Sequence, residues 1–113
     1  MHAYIQVVTT TGNRQDAEKI AGMLVDRKLA GCVQIISSVM SIYRWKGHIE
    51  TAEECQCVIK SRKDLYGAIE AVIKSMHPYE TPEIIALPII AGSRDYLEWL
   101  ENGLIEGSSS EPH

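Results

Sequence analysis

The sequence predicts an α+β domain of the ferredoxin-like, split β-α-β type, with a long central hairpin and an extra C-terminal helix. Three observations predict it. Segments of β-rich and helical spacing follow one another as strand, helix, strand, strand, helix, strand. One tight-turn signal, Lys46-Gly47, splits the longest β-rich run into two strands. A Pro-flanked segment, His77-Pro78-Tyr79-Glu80-Thr81-Pro82-Glu83, separates the second helix from the last strand. The 113 residues suit one domain, taken as 1–105, with 106–113 expected to be a disordered tail.

The elements follow in order. Ala3 to Thr10 is apolar and β-rich, a first strand. Asn13 caps a helix running to about Lys28, with Asp16 in its first turn and Ala17, Ile20, Ala21 and Leu24 on its buried face. Gly31 is expected to end it. Val33 to Trp45 is a long strand. Simple alternation puts Val33, Ile35, Val39 and Tyr43 on one face and Ile36, Met40 and Ile42 on the other, with Ser37-Ser38 marking a bend or bulge. Ile49 to Lys60 returns as its partner. Ser61 to Asp64 resembles a capping box before a helix striped by Leu65, Ile69, Val72, Ile73 and Met76. Glu83 to Ala91 is the last strand, and Pro88 assigns it to an edge. Ser93 caps a short helix with Tyr96, Leu97 and Leu100 on its apolar face. Two helices cover one face of such a sheet. Apolar residues on the other face then predict oligomerisation.

Composition narrows the function. A net charge of −4 and the lack of a basic run argue against nucleic-acid and membrane partners. No signal-peptide pattern or transmembrane span is read. Three cysteines, an odd number, point to a reducing compartment. Cys55 and Cys57 fall on one face of a strand. That pattern suits a soft metal such as Cu(I), but two thiolates do not close a tetrahedral set, and core packing is the expectation. Phe is absent, so every aromatic ring has a polar tip, a composition suited to interfaces.

Three blocks carry a family resemblance: Lys28-Leu29-Ala30-Gly31-Cys32-Val33; Ser41-Ile42-Tyr43-Arg44-Trp45-Lys46-Gly47; and His77 to Glu83 with Leu87-Pro88 and Tyr96-Leu97-Trp99-Leu100. Together they resemble the CutA proteins, a family named for divalent-cation tolerance. The resemblance implies a cytoplasmic homotrimer with hairpins pairing across subunits, architecturally similar to the PII signalling proteins, and linked to copper and other divalent metals. Some members carry a Cys late in the first strand and a double His before Pro-Tyr. Thr9 and Met76-His77 stand there in this chain, which leaves His77 as the one strong metal ligand.

The candidate ligand-binding cleft comprises Tyr43, Trp45, Lys60, His77, Tyr79, Glu80 and Glu83, brought together between subunits. His77 is the candidate metal residue, with Cu(II) or another divalent cation as a non-obligatory ligand. The dipole of the helix it ends favours its protonated form. The same residues also suit a sealed subunit interface or a PII-like signalling trimer without metal. An enzyme using His77 and Glu80 as acid and base is the rival class. It lacks a nucleophile-plus-base motif or a phosphate-binding loop, and the protein is expected not to be an enzyme.

Overall fold

A computed structural model describes residues 3–106; the expectation for the tail lies, but for Glu106, outside them. The order is β1 (Tyr4–Thr11), α1 (Arg14–Asp26), β2 (Cys32–Trp45), β3 (His48–Arg62), a 3-10 turn (Lys63–Leu65), α2 (Tyr66–Met76), β4 (Ile84–Ile89) and α3 (Arg94–Asn102). The sheet order is β2-β3-β1-β4 and every neighbouring pair is antiparallel. This is the split β-α-β layout, with β2 and β4 as the two edges. Pro88 sits on edge strand β4, where its missing N–H breaks no internal ladder.

The core lies between the sheet and the two long helices. Ala17, Ile20 and Leu24 of α1 and Ile69, Val72 and Ile73 of α2 pack on Val7, Cys57 and Ile59. The side chain of Asn13 accepts from the N–H of Asp16 at 2.8 Å, as its place before the helix predicts. The other end of α1 differs from expectation. Lys28 takes a left-handed φ of +59°, and the N–H of Leu29 donates to the carbonyl of Leu24 at 2.9 Å. The helix thus ends in a Schellman turn three residues before Gly31, with lysine in the position that glycine normally fills. Lys28→Gly is therefore expected to raise stability by about 1 kcal/mol, read as a higher urea midpoint at unchanged slope.

Gly31 serves a different purpose. A Cβ there would lie 2.5 Å from Leu100 Cδ1 and 3.1 Å from the Leu100 carbonyl, so glycine is what lets α3 dock on the start of β2. Ser61 also departs from its expected role. It belongs to β3, and its hydroxyl donates to the carbonyl of Leu29 at 2.6 Å. No side chain caps the 3-10 turn or α2, because Asp64 is bound to Arg62 instead.

The central hairpin turns at Lys46 and Gly47, both at positive φ, the backbone that matches strand twist in a two-residue loop. Residues 48–54 of β3 have no partner in β1, so the hairpin projects about 23 Å beyond the three-stranded region. Between Ile36 and Val39 the register shifts, and Ser38 adopts φ +70°. One extra residue reverses the alternation beyond it. Met40 and Ile42 therefore join Val33 and Ile35 on the helix-side face, while Val39 and Tyr43 join Ile36 on the open face. This corrects the simple alternation.

The face opposite α1 and α2 is apolar over much of its area. Ile36, Tyr43, Trp45, Ile85 and Leu87 are all exposed there. α3 covers only the end near Tyr4, with Leu100 buried and Tyr96 and Trp99 still exposed. Among the described residues, no helix is long and apolar enough to cross a membrane.

Candidate functional site

Helix α2 ends at His77 because Pro78 follows, and His77 takes an extended backbone. Its ring turns back beneath the end of β1 and is buried. Nε2 lies 2.6 Å from the carbonyl of Thr10, and Nδ1 accepts from the N–H of Tyr79 at 3.1 Å. A carbonyl only accepts and a backbone N–H only donates. The ring is therefore held as the tautomer with its proton on Nε2. A proton on Nδ1 would sit against the Tyr79 N–H. A metal at His77 has to displace one of these two contacts.

The imidazole positions Tyr79, whose ring centroid is 4.7 Å away. Tyr79 Oη lies 3.5 Å from Glu54 Oε2, and Ser41 donates to the other oxygen of that carboxylate at 2.6 Å. A Cβ on Gly12 would come within 3.0 Å of the phenol oxygen, so this glycine leaves room for the tyrosine over the β1–α1 turn. Burial pushes the Tyr79 phenol above its ordinary range, aided by the charge of Glu54 and its hydrogen bond, then by Tyr43 and Asp16. Burial likewise pushes the Cys57 thiol up to about 11, with Cys55 adding to it. Both groups hold their protons longer folded than unfolded. Their stabilising effect is complete below the unfolded values and is lost as pH rises through the folded ones. The urea midpoint is expected to fall between about pH 8 and about pH 10.5, checked by equilibrium unfolding at both.

Of the seven expected site residues, the chain brings His77 and Tyr79 together, with Tyr43 close enough to act on the phenol's charge. Glu80 and Glu83 are exposed on the same loop. Trp45 stands at the hairpin tip, with the Lys46 ammonium 5.5 Å from its ring. Lys60 lies elsewhere on β3, ten residues from the partner of Tyr43, or about 30 Å along the strand. Its ammonium sits 5.7 Å from the ring of Tyr96. In a single chain, Lys60 therefore stands apart from His77, Tyr79 and Tyr43.

Glu54, Ser41 and Gly12 complete the Tyr79 environment and were missed by the sequence reading. Glu54 is one of several acids on an amphipathic strand, and nothing local marks it. An open cleft of about 610 Å³ lies at the opposite end of β1, between Tyr4, Leu97 and Glu101. Among the described residues, no three His, Cys, Asp or Glu side chains come together as a metal set.

The model of the family described as CutA1 divalent ion tolerance protein matches residues 5–103. The rice protein named Protein CutA 1, chloroplastic, is 40% identical over 102 residues, covering 90% of this chain and 58% of its own length. The Arabidopsis thaliana relative is similarly longer, and this chain spans 54% of it. The divalent-cation tolerance protein CutA of Thermus thermophilus is 39% identical over 94 residues, covering 83% of this chain and 91% of its own. The crystal structure of CutA1 from Oryza sativa superposes with a TM-score of 0.91 at 39% identity, covering 94% of this chain and 97% of that one. The sheet order, the projecting hairpin and the Pro-flanked loop are thus those of a known fold, and this chain belongs to the CutA1 divalent ion tolerance family.

Proposed function

We propose that the protein is a non-enzymatic, cytoplasmic homotrimer acting in divalent-cation tolerance, with its ligand cleft between subunits. One observation supports the assembly above others. The open sheet face exposes Ile36, Tyr43, Trp45, Ile85 and Leu87, and it is flanked by two unpaired edges, β2 and β4. A monomer leaves this apolar area and two rows of backbone donors and acceptors in water. Ring closure of edge on edge removes both costs at once. The cytoplasmic assignment is supported by three free thiols.

In this reading, one subunit supplies Tyr43, His77, Tyr79, Glu80 and Glu83, and a second supplies Lys60 or the hairpin-tip Trp45. The cleft takes a small ligand between aromatic walls and fixed polar groups. Divalent cations of the copper type bind weakly, because His77 must give up the Tyr79 N–H to coordinate and brings no second imidazole.

Native mass spectrometry tests the proposal. The expected species is three times the 12.6 kDa chain, and Ile36→Glu is expected to shift it to monomer by burying a charge on the open face. Added Cu(II) is expected to appear on the wild-type trimer and to be lost in His77→Gln. A wild-type monomer at micromolar concentration would sink the assembly, and copper uptake indifferent to His77 would sink the metal assignment.

A further inference from the structure

Two edge segments of this chain are apolar and uncovered on both faces. In β4, Ile85 and Leu87 are exposed on the open face, and Ala86 and Pro88 on the helix-side face. The strand carries no charge, and Ile90 just beyond it is 93% exposed. The projecting part of β2 is alike. Tyr43 is exposed on the open face, and Met40 and Ile42 on the helix-side face. Apolar side chains bare on both faces of an edge mark a surface made for another strand. Lateral pairing sets each of them beside a neighbour on both faces at once.

Strand directions fix how two copies meet. β2 is antiparallel to β3, β3 to β1 and β1 to β4, so β2 and β4 run in opposite senses. Rotation about an axis along the strands preserves these senses. The β2 edge of one copy therefore meets the β4 edge of the next antiparallel. Face parity then sets odd-numbered residues of 39–45 beside odd-numbered residues of β4. A slip by one residue would put Tyr43 and Ile85 on opposite faces. Only one register of that parity pairs all six residues of β4 with the projecting segment. It sets Val39 opposite Ile89, Tyr43 opposite Ile85 and Arg44 opposite Ile84. The same register carries the hairpin tip onto the loop that holds His77. Trp45 and Lys46 follow Arg44 in the chain, and Glu80 and Glu83 precede Ile84. Among the described residues, Arg44, Lys46, Glu80 and Glu83 are all exposed and in no ion pair. Two unpaired cations thus meet two unpaired carboxylates.

We infer that the hairpin tip of a second copy completes the His77–Glu83 loop, with residues 39–44 of β2 paired on β4 and Arg44 and Lys46 facing Glu80 and Glu83. This rests on the ring assembly proposed above. It assigns Trp45, and not Lys60, as the residue that the second subunit brings to the cleft. Lys60 of that subunit lies about 30 Å further back along its hairpin, out of reach of the loop. The charges sit at the rim of the contact, where they select the matching surface more than they tighten it. The apolar pairs on the two faces carry the binding.

The test is disulfide trapping in the full chain, beside native mass spectrometry of the same protein before oxidation. Opposed strand residues have Cα atoms about 4.5–5.5 Å apart, inside disulfide range. Within one chain, positions 43 and 85 belong to opposite edges of the sheet, three strand spacings or about 14 Å apart, and cannot be bridged. Tyr43→Cys with Ile85→Cys is expected to give covalent trimers on a non-reducing gel, and neither single variant to do so. Ser41→Cys with Ile85→Cys, two residues out of register, is expected to stay unlinked. Arg44→Glu with Lys46→Glu is expected to weaken the trimer, and adding Glu80→Lys with Glu83→Lys to restore it. A trimer that fails to link at 43 and 85, that links in the slipped pair, or that the added lysines do not restore overturns this inference and leaves the trimer standing. A monomer before oxidation overturns the trimer reading, and this inference with it.

Discussion

Arg62→Ala is expected to destabilise the fold by about 3–5 kcal/mol, the usual cost of removing one partner from a buried charge network. The Arg62 side chain is 1% exposed. Its Nε and Nη2 fork onto the two oxygens of Asp64, at 2.5 and 3.2 Å. Nη1 donates to Glu101 Oε2 at 2.5 Å, and Nη2 also donates to the Ile105 carbonyl at 3.0 Å. Burial by itself pulls the guanidinium pKa down. The bond to Asp64 and the charge of Glu101 outweigh this and leave it raised, so the group is charged at every working pH. One side chain thereby ties the end of β3 to the 3-10 turn before α2, to α3 and to the segment beyond it. Arg62→Lys is expected to recover only part of the loss, because an ammonium cannot form the fork. Urea unfolding at fixed chain concentration measures both. A loss below about 1 kcal/mol for Arg62→Ala would show that the network behaves as an exposed pair.

The second large effect is expected from His77→Ala, at about 2–4 kcal/mol, combining the lost ring with the buried Thr10 carbonyl left unpaired at about 1–3 kcal/mol. The loop should respond more than the core does. With Nδ1 gone, the Tyr79 amide loses its acceptor, and Tyr79 loses the ring it packs on. Hydrogen exchange at the Tyr79 amide is expected to accelerate well beyond the change at Ile59 in the core. Uniform acceleration of both amides would mean that His77 acts on global stability and does not position this loop.

These effects show why some of the site was legible in the sequence and some was not. The segment from His77 to Glu83 stood out because proline acts on its own φ and on the residue before it, an effect confined to neighbours. Asn13 and Ser93 were legible as caps for the same reason, since each accepts from an N–H three residues on. The core stripes were legible because burial repeats with helical period. Glu54 was not, because its partners Ser41 and Tyr79 come from a different strand and from a loop 25 residues away.

The sequence by itself determined the order of the elements, the turn at Lys46-Gly47, the stop of α2 and the family. Each of these rests on short-range chemistry or on motifs read as strings. Tertiary structure alone decided the other points. A single extra residue at Ser38 exchanged the faces of half a strand, because side-chain direction depends on register with β3 and not on sequence count. Docking of α3 turned Gly31 from an expected helix stop into a packing position and made Arg62 the buried centre of an ion network. The fold also brought the Thr10 carbonyl to His77 from 67 residues away and so settled which nitrogen carries the proton. Each outcome depends on contacts between distant segments, and such contacts exist only once the chain has packed.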